Sequence, residues 1–207
     1  MGVRGWELLE KTVHYIGKEH FTIADAKRGD IGNTSAQYAR AFFTALPFDA
    51  ITVAPYMGED SVKPFLEVKD KWTILLGLTS NSGAADFELQ QTGNERLYEK
   101  VIRTASRWGT KGNLMFVIGA TRADEFLNIR KICPDHFFLV PGVGAQGGSL
   151  QEISEKAMLK KDVGLLVNVS RAVIYAGNGT DYAEKASHAA QEYRREMQSY
   201  LSAFGVI

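Results

Sequence analysis

The rhythm of the apolar segments constrains this chain more than anything else in it. Six short runs rich in Val, Ile, Leu and Phe, at residues 20–24, 50–54, 72–78, 114–119, 137–141 and 164–169, alternate with segments of helical periodicity. The runs lack the clean alternation of a strand with one wet face, as expected of parallel strands buried on both sides. Between them, residues 34–46 place Tyr38, Phe42 and Leu46 on one helical face, and residues 94–108 do the same with Leu97, Val101 and Ala105. Further helices are predicted over 121–132, 149–159 and 180–204. Another, over 6–16 with Leu9, Val13 and Ile16 in register, precedes the first strand. Strand followed by helix, repeated, predicts an α/β fold with a parallel sheet, either doubly wound or closed as a (β/α)8 barrel. In both, ligands bind at the carboxyl ends of the strands. No linker or repeat interrupts the 207 residues, 45% of them hydrophobic, so one domain spanning 1–207 is predicted.

Several function classes are disfavoured at once. Lys plus Arg and Asp plus Glu number 24 each, so the formal net charge is zero and no basic run suggests a nucleic-acid surface. Any bound anion should be small and met by a local pocket. Cys133 is the only cysteine, which excludes an intramolecular disulfide, and no signal-peptide pattern opens the chain; a cytoplasmic location is expected. The four histidines, His14, His20, His136 and His188, are never spaced as a metal pair, and the apolar runs are too short to span a bilayer.

Attention therefore falls on the strand ends. After the first run come Asp25 and Lys27, two apart and so on one side of an extended chain, with Asp30 three residues further on beyond Gly29. Such crowding of opposite charge is either a solvated turn or a site that needs both signs close together. The tripeptide Arg28-Gly29-Asp30 also has the letters of an adhesion ligand, which the absent secretion signal argues against. The third run ends in Thr79-Ser80-Asn81, neutral donors and acceptors suited to an amide or ring edge, or simply to a turn. The fifth ends in Pro141-Gly-Val-Gly-Ala-Gln146-Gly-Gly. Its Gly142, Gly144 and Gly147 satisfy G-x-G-x-x-G, but four strands precede it and Ser170-Arg171, rather than an acid, ends the next. This loop, leading to a helix start near Ser149, predicts an anion nest of backbone N–H groups, with Arg171 as a planar cation for a phosphate. In (β/α)8 barrels the loops after the last two strands commonly hold a phosphate, which favours the barrel.

With these residues in hand, the chain resembles the orotidine 5′-phosphate decarboxylase family, in particular the bacterial subgroup whose motif reads D-A-K-R-G-D-I-G. The match is Asp25-Ala-Lys27-Arg-Gly-Asp30-Ile31-Gly32-Asn-Thr34, backed by the Pro141–Gly148 loop and by Asn168-Val-Ser170-Arg171. The resemblance implies a TIM (β/α)8 barrel of the ribulose-phosphate-binding type. It also implies a homodimer with active sites shared across the interface, and conversion of orotidine 5′-phosphate (OMP) to UMP and CO2 with neither metal nor organic cofactor. It casts Lys27 as proton donor to C6, Asp25 against the substrate carboxylate, and Asp30 reaching into the partner's site. Ile31 and Thr34 resemble contacts to the neighbour's ligand, Ser80 the pyrimidine-recognising serine, Pro141 the apolar lining near the departing CO2, and Gln146 with Arg171 the phosphate pair.

The chain departs from the family in one respect. Six strands are predicted where the family has eight, and such barrels take about 250 residues. The expected gap is N-terminal: a first β-strand, a helix and a second β-strand that carries a lysine, for which Lys11 is no substitute. Two alternatives share the barrel or the pocket. One is a Mg²⁺-dependent phosphosugar decarboxylase or aldolase, and the other is a non-catalytic phosphate-binding remnant.

Overall fold

A computed structural model describes residues 2–144 and 147–207. Helix α1 (Gly2–Ile16) is followed by β1 (Ile23–Arg28), α2 (Gly32–Arg40), β2 (Ala50–Val53), α3 (Glu59–Leu66) and β3 (Trp72–Leu78). A small antiparallel hairpin, β4 (Gln91–Thr92) and β5 (Glu95–Arg96), precedes α4 (Leu97–Ala105) and β6 (Leu114–Ile118). Then come α5 (Phe126–Ile132), β7 (Phe138–Pro141), α6 (Leu150–Ala157), β8 (Leu165–Asn168), α7 (Arg171–Ile174) and α8 (Tyr182–Ala203). The six principal strands hydrogen-bond in the order β1-β2-β3-β6-β7-β8, and the pairs β1/β2, β2/β3, β6/β7 and β7/β8 are parallel. All six predicted strands exist. Their burial explains the missing alternation: every residue of β2 and β6 is buried, as strands covered on both faces must be.

The chain divides into two compact units. The first, running to Leu76 and including Thr104–Met115, packs Phe42, Phe43 and Phe48 with Val62, Phe65 and the buried residues of β2. The Asp49 carboxylate accepts the N–H and hydroxyl of Thr22 at 2.7 and 2.8 Å, fixing the entry of β1 beside β2. The helix expected over 34–46 is α2 followed by one π-helical turn, Ala41–Ala45, which brings both Phe42 and Phe43 inside. An inserted residue of this kind reorients side chains without breaking the helix.

The second unit, Gly77–Arg103 with Phe116–Ile207, is built around Phe116, Phe126, Phe138 and Ile153. Arg130 pins it. Its guanidinium lies 3.8 Å from the Phe138 ring centroid and donates to the carbonyls of His136 (2.6 Å), Gly164 (2.8 Å) and Ala157 (2.9 Å). It thereby ties the ends of α5 and α6 to the starts of β7 and β8, and burial pulls its pKa down to about 10. Helix α6 begins where predicted, with the Glu152 N–H donating to the Ser149 hydroxyl at 3.2 Å. No helix of the described residues is long and apolar enough to cross a membrane.

Candidate functional site

The first unit brings Asp25 and Lys27 together. Lys27 Nζ donates to Asp25 Oδ1 at 2.6 Å, with both side chains more than half exposed. An exposed pair contributes little to stability, so folding alone does not account for it. The residues lie within β1, not beyond its end as the apolar run suggested: the strand extends to Arg28. The reason is a bulge. Ala24 pairs with Ile51 and Arg28 with Val53, so four steps along β1 cover two along β2. Lys27 adopts φ +46°, a left-handed conformation that costs a non-glycine residue about 1–2 kcal/mol. The Arg28 carbonyl then accepts the Ala54 N–H at 2.8 Å and restores the ladder. A bulge beside a strand end re-aims side chains, and it is a feature of functional sites.

Thr52 lines the inside of the bulge. Its hydroxyl accepts the Lys27 N–H at 2.9 Å and lies 3.0 Å from Asp25 Oδ1, to which it donates. The side chain is fully buried at the centre of β2. In the sequence Thr52 shows only as one hydroxyl inside the apolar run Ala50-Ile-Thr-Val-Ala54.

Asp30, Ile31 and Thr34 lie beyond β1, outside that pair. The Asp30 carboxylate accepts the Ile31 N–H at 2.8 Å, and its carbonyl accepts the buried Ser35 hydroxyl at 2.6 Å. Together these start α2 and hold Ile31, 64% exposed, out into solvent. Ile31 is therefore no part of the core.

In the second unit Ser80 and Arg171 follow the carboxyl ends of β3 and β8, and Pro141 is the last residue of β7. Ser80 is half-buried after β3, and its backbone is approached so closely by Gly119 that a Cβ there would stand 2.8 Å from the Ser80 nitrogen. Its neighbour Thr79 is held by Glu88, which accepts the Thr79 N–H at 2.7 Å and lies 2.8 Å from the Thr79 hydroxyl. Pro141 closes β7 opposite Asn168, and Asn168 Oδ1 accepts the Ser170 hydroxyl at 3.0 Å just before Arg171, which is exposed at the start of α7. Gln146 lies outside the described residues.

The glycine loop differs from the nest that its sequence suggests. Gly142, Gly144 and Gly147 do take positive φ. However, the N–H groups of Gly144, Gly147 and Gly148 donate to the carbonyls of Gly148, Gly144 and Gly142. Those donors are spent inside the loop, so among the described candidates the cationic Arg171, after β8, carries the anion-binding argument. A cavity of about 480 Å³ in this unit, lined by such residues as Leu165, Val167, Met197 and Leu201, contains none of the candidates.

Set against known proteins, residues 4–186 match the model of the orotidine 5′-phosphate decarboxylase / HUMPS family. The orotidine 5′-phosphate decarboxylase of Flavobacterium johnsoniae is 55% identical over 97% of this chain and 74% of its own length. That of Christiangramia forsetii is 56% identical over 97% of this chain and 75% of its own. Among solved structures, the Leishmania donovani OMP decarboxylase superposes with a TM-score of 0.82 at 34% identity, covering 94% of this chain and 75% of that one. The Methanocaldococcus jannaschii enzyme, complexed with the inhibitor BMP, gives 0.68 at 28% identity over 89% of this chain and 78% of that one. With more than half its residues shared with these relatives and residues 4–186 matched by the family model, the chain belongs to the orotidine 5′-phosphate decarboxylase / HUMPS family, of TIM-barrel fold.

Proposed function

We propose that this protein converts OMP to UMP and CO2, without metal or organic cofactor, in the formation of pyrimidine nucleotides, and that Lys27 protonates C6. The observation that carries the reading is the Asp25–Lys27 pair at 2.6 Å, held on a bulged strand where it adds little to stability. Loss of CO2 from C6 leaves an electron pair in the ring plane, where the π-system cannot delocalise it. A fixed ammonium stabilises that charge as it develops and then delivers a proton to the same carbon. Asp25, against the substrate carboxylate, holds and orients Lys27. Ser80 recognises the pyrimidine, Pro141 lines the departure of CO2, and Gln146 with Arg171 binds the phosphate. That remote contact contributes to the rate only through what it holds in place.

In the same reading the working form is a cytoplasmic homodimer in which Asp30, Ile31 and Thr34 serve the partner's ligand. The exposure of Ile31 supports this. The family description also covers enzymes other than OMP decarboxylases, and one assay separates them. The ultraviolet absorbance of OMP should decay in the presence of EDTA and product should appear as UMP. Turnover that requires added Mg²⁺ would point to the phosphosugar branch, and nucleotide binding without turnover to a remnant.

A further inference from the structure

Within the reading of Asp25 and Lys27 given above, the hydroxyl of Thr52 has a task of its own. The bulge removes the Lys27 N–H from the ladder, because four steps of β1 pass over two of β2. A backbone N–H left unpaired next to a buried strand is costly, so that position needs an acceptor. Thr52 supplies it, at 2.9 Å, from a fully buried side chain. A hydroxyl has one proton to give, and here Asp25 Oδ1 at 3.0 Å is a nearer acceptor than the Ala24 carbonyl at 3.5 Å. Asp25 Oδ1 is also the atom that accepts from Lys27 Nζ. One hydroxyl thus touches the backbone of the lysine and the carboxylate of the aspartate and fixes each relative to the other.

Flanking residues leave Thr52 little freedom. Ile51, Val53 and its β3 neighbour Ile74 are all fully buried, and Thr52 pairs in register with Ile74. A β-branched side chain so enclosed keeps one rotamer. Exposed carboxylates and ammonium groups, by contrast, wander unless something holds them, and both partners here are more than half exposed. We infer that Thr52 is a positioning residue for decarboxylation, acting through its hydroxyl to orient Asp25 and the Lys27 backbone. It has no contact with substrate in this scheme.

The test compares Thr52→Val, which keeps the shape and removes the hydroxyl, with Thr52→Ser, which keeps the hydroxyl. Misplacing a reacting group by about an ångström can cost up to 100-fold, so Thr52→Val should lower kcat about 10- to 100-fold. Its KM for OMP and its UMP affinity should stay within about threefold of the parent, because a group acting on geometry at the reacting centre contributes little to ground-state binding. Thr52→Ser should recover most of the lost kcat. If Thr52→Val does not fold, Thr52→Ala removes the same hydroxyl and carries the same expectation. Parental kcat in the hydroxyl-free variant would overturn the inference. Equal loss in the serine and valine variants would also overturn it, since volume and not hydrogen bonding would then be at work. Lys27→Ala, assayed alongside, separates the two levels: if it retains turnover, the reading of the pair fails first. If it is inactive while Thr52→Val is normal, only the role of Thr52 falls.

Discussion

At the scale of single residues, the two halves of the Asp25–Lys27 question separate cleanly in experiment. Lys27→Ala should abolish measurable decarboxylation, a loss of at least the ~10²–10⁴-fold typical of a positioned general acid. Because the pair is exposed, the same variant should unfold within about 1 kcal/mol of the parent. Steady-state kinetics and urea melts on one preparation check both. Near-normal rates would remove Lys27 as the proton donor. Asp30 makes a different prediction, since its carboxylate is engaged with the Ile31 N–H and not with Lys27. Asp30→Ala and Lys27→Ala should each be inactive, and mixing them should restore part of the activity through hybrid dimers. Silence after mass spectrometry has demonstrated subunit exchange would argue against a shared site. Arg171→Ala should raise KM for OMP by at least about 10-fold, the scale of one lost charge-assisted phosphate contact; an unchanged KM would transfer the phosphate to other donors.

Elements decide what those residues can reach. The charges of β1 stood out in the sequence because Asp25, Lys27 and Arg28 follow directly on an apolar run; the bulge beneath them did not. Bulging depends on how β1 registers against β2, a pairing between residues about 27 apart in sequence. Thr52 is silent in the sequence for the same reason: a lone hydroxyl in a buried strand gains meaning only from the partner strand. The glycine loop failed in the opposite direction. Its G-x-G-x-x-G spacing correctly implied positive φ, but only the folded loop shows its N–H groups turned onto its own carbonyls. Gly119 tests how tightly one element controls another. A methyl group there would stand 2.8 Å from the Ser80 nitrogen and 2.9 Å from its Cβ, closer than backbone tolerates. Gly119→Ala should cost about 1–3 kcal/mol of stability and raise KM for OMP, because the Ser80 turn must shift. Unaltered melting and kinetics would show that the turn yields at no cost.

Across the whole molecule, His136 marks where pH bears on stability. It packs at 5.6 Å against Phe116, and both ring nitrogens are buried with no hydrogen-bond partner. Burial is the main cause that lowers its pKa below 6.5, aided by nearby Arg130 and opposed by Asp135. The unfolded chain therefore takes up a proton near its ordinary pKa while the folded chain resists. Stability is full above that value and falls as pH drops through it toward the folded pKa, by at most about 1.4 kcal/mol per pH unit. His136→Phe should match or exceed the parent at neutral pH and lose part of this acid slope. Urea midpoints between about pH 7.5 and pH 5.5 decide it; parallel curves for the two proteins would assign the slope to other groups.

The sequence by itself determined the six strands of the main sheet, though not the β4/β5 hairpin, together with the parallel α/β class and the family, because hydrophobic period and short motifs are local and survive being read in one dimension. It also marked Asp25, Lys27 and Arg171, since charges at strand ends are conspicuous against apolar runs. Tertiary structure alone decided that Lys27 sits in a left-handed bulge against β2, that a buried Thr52 connects it to Asp25, and that Arg130 closes onto the carbonyls of Ala157 and Gly164. Each of these is a contact between distant residues, and register, burial and hydrogen-bond geometry exist only once two stretches of chain have been placed side by side.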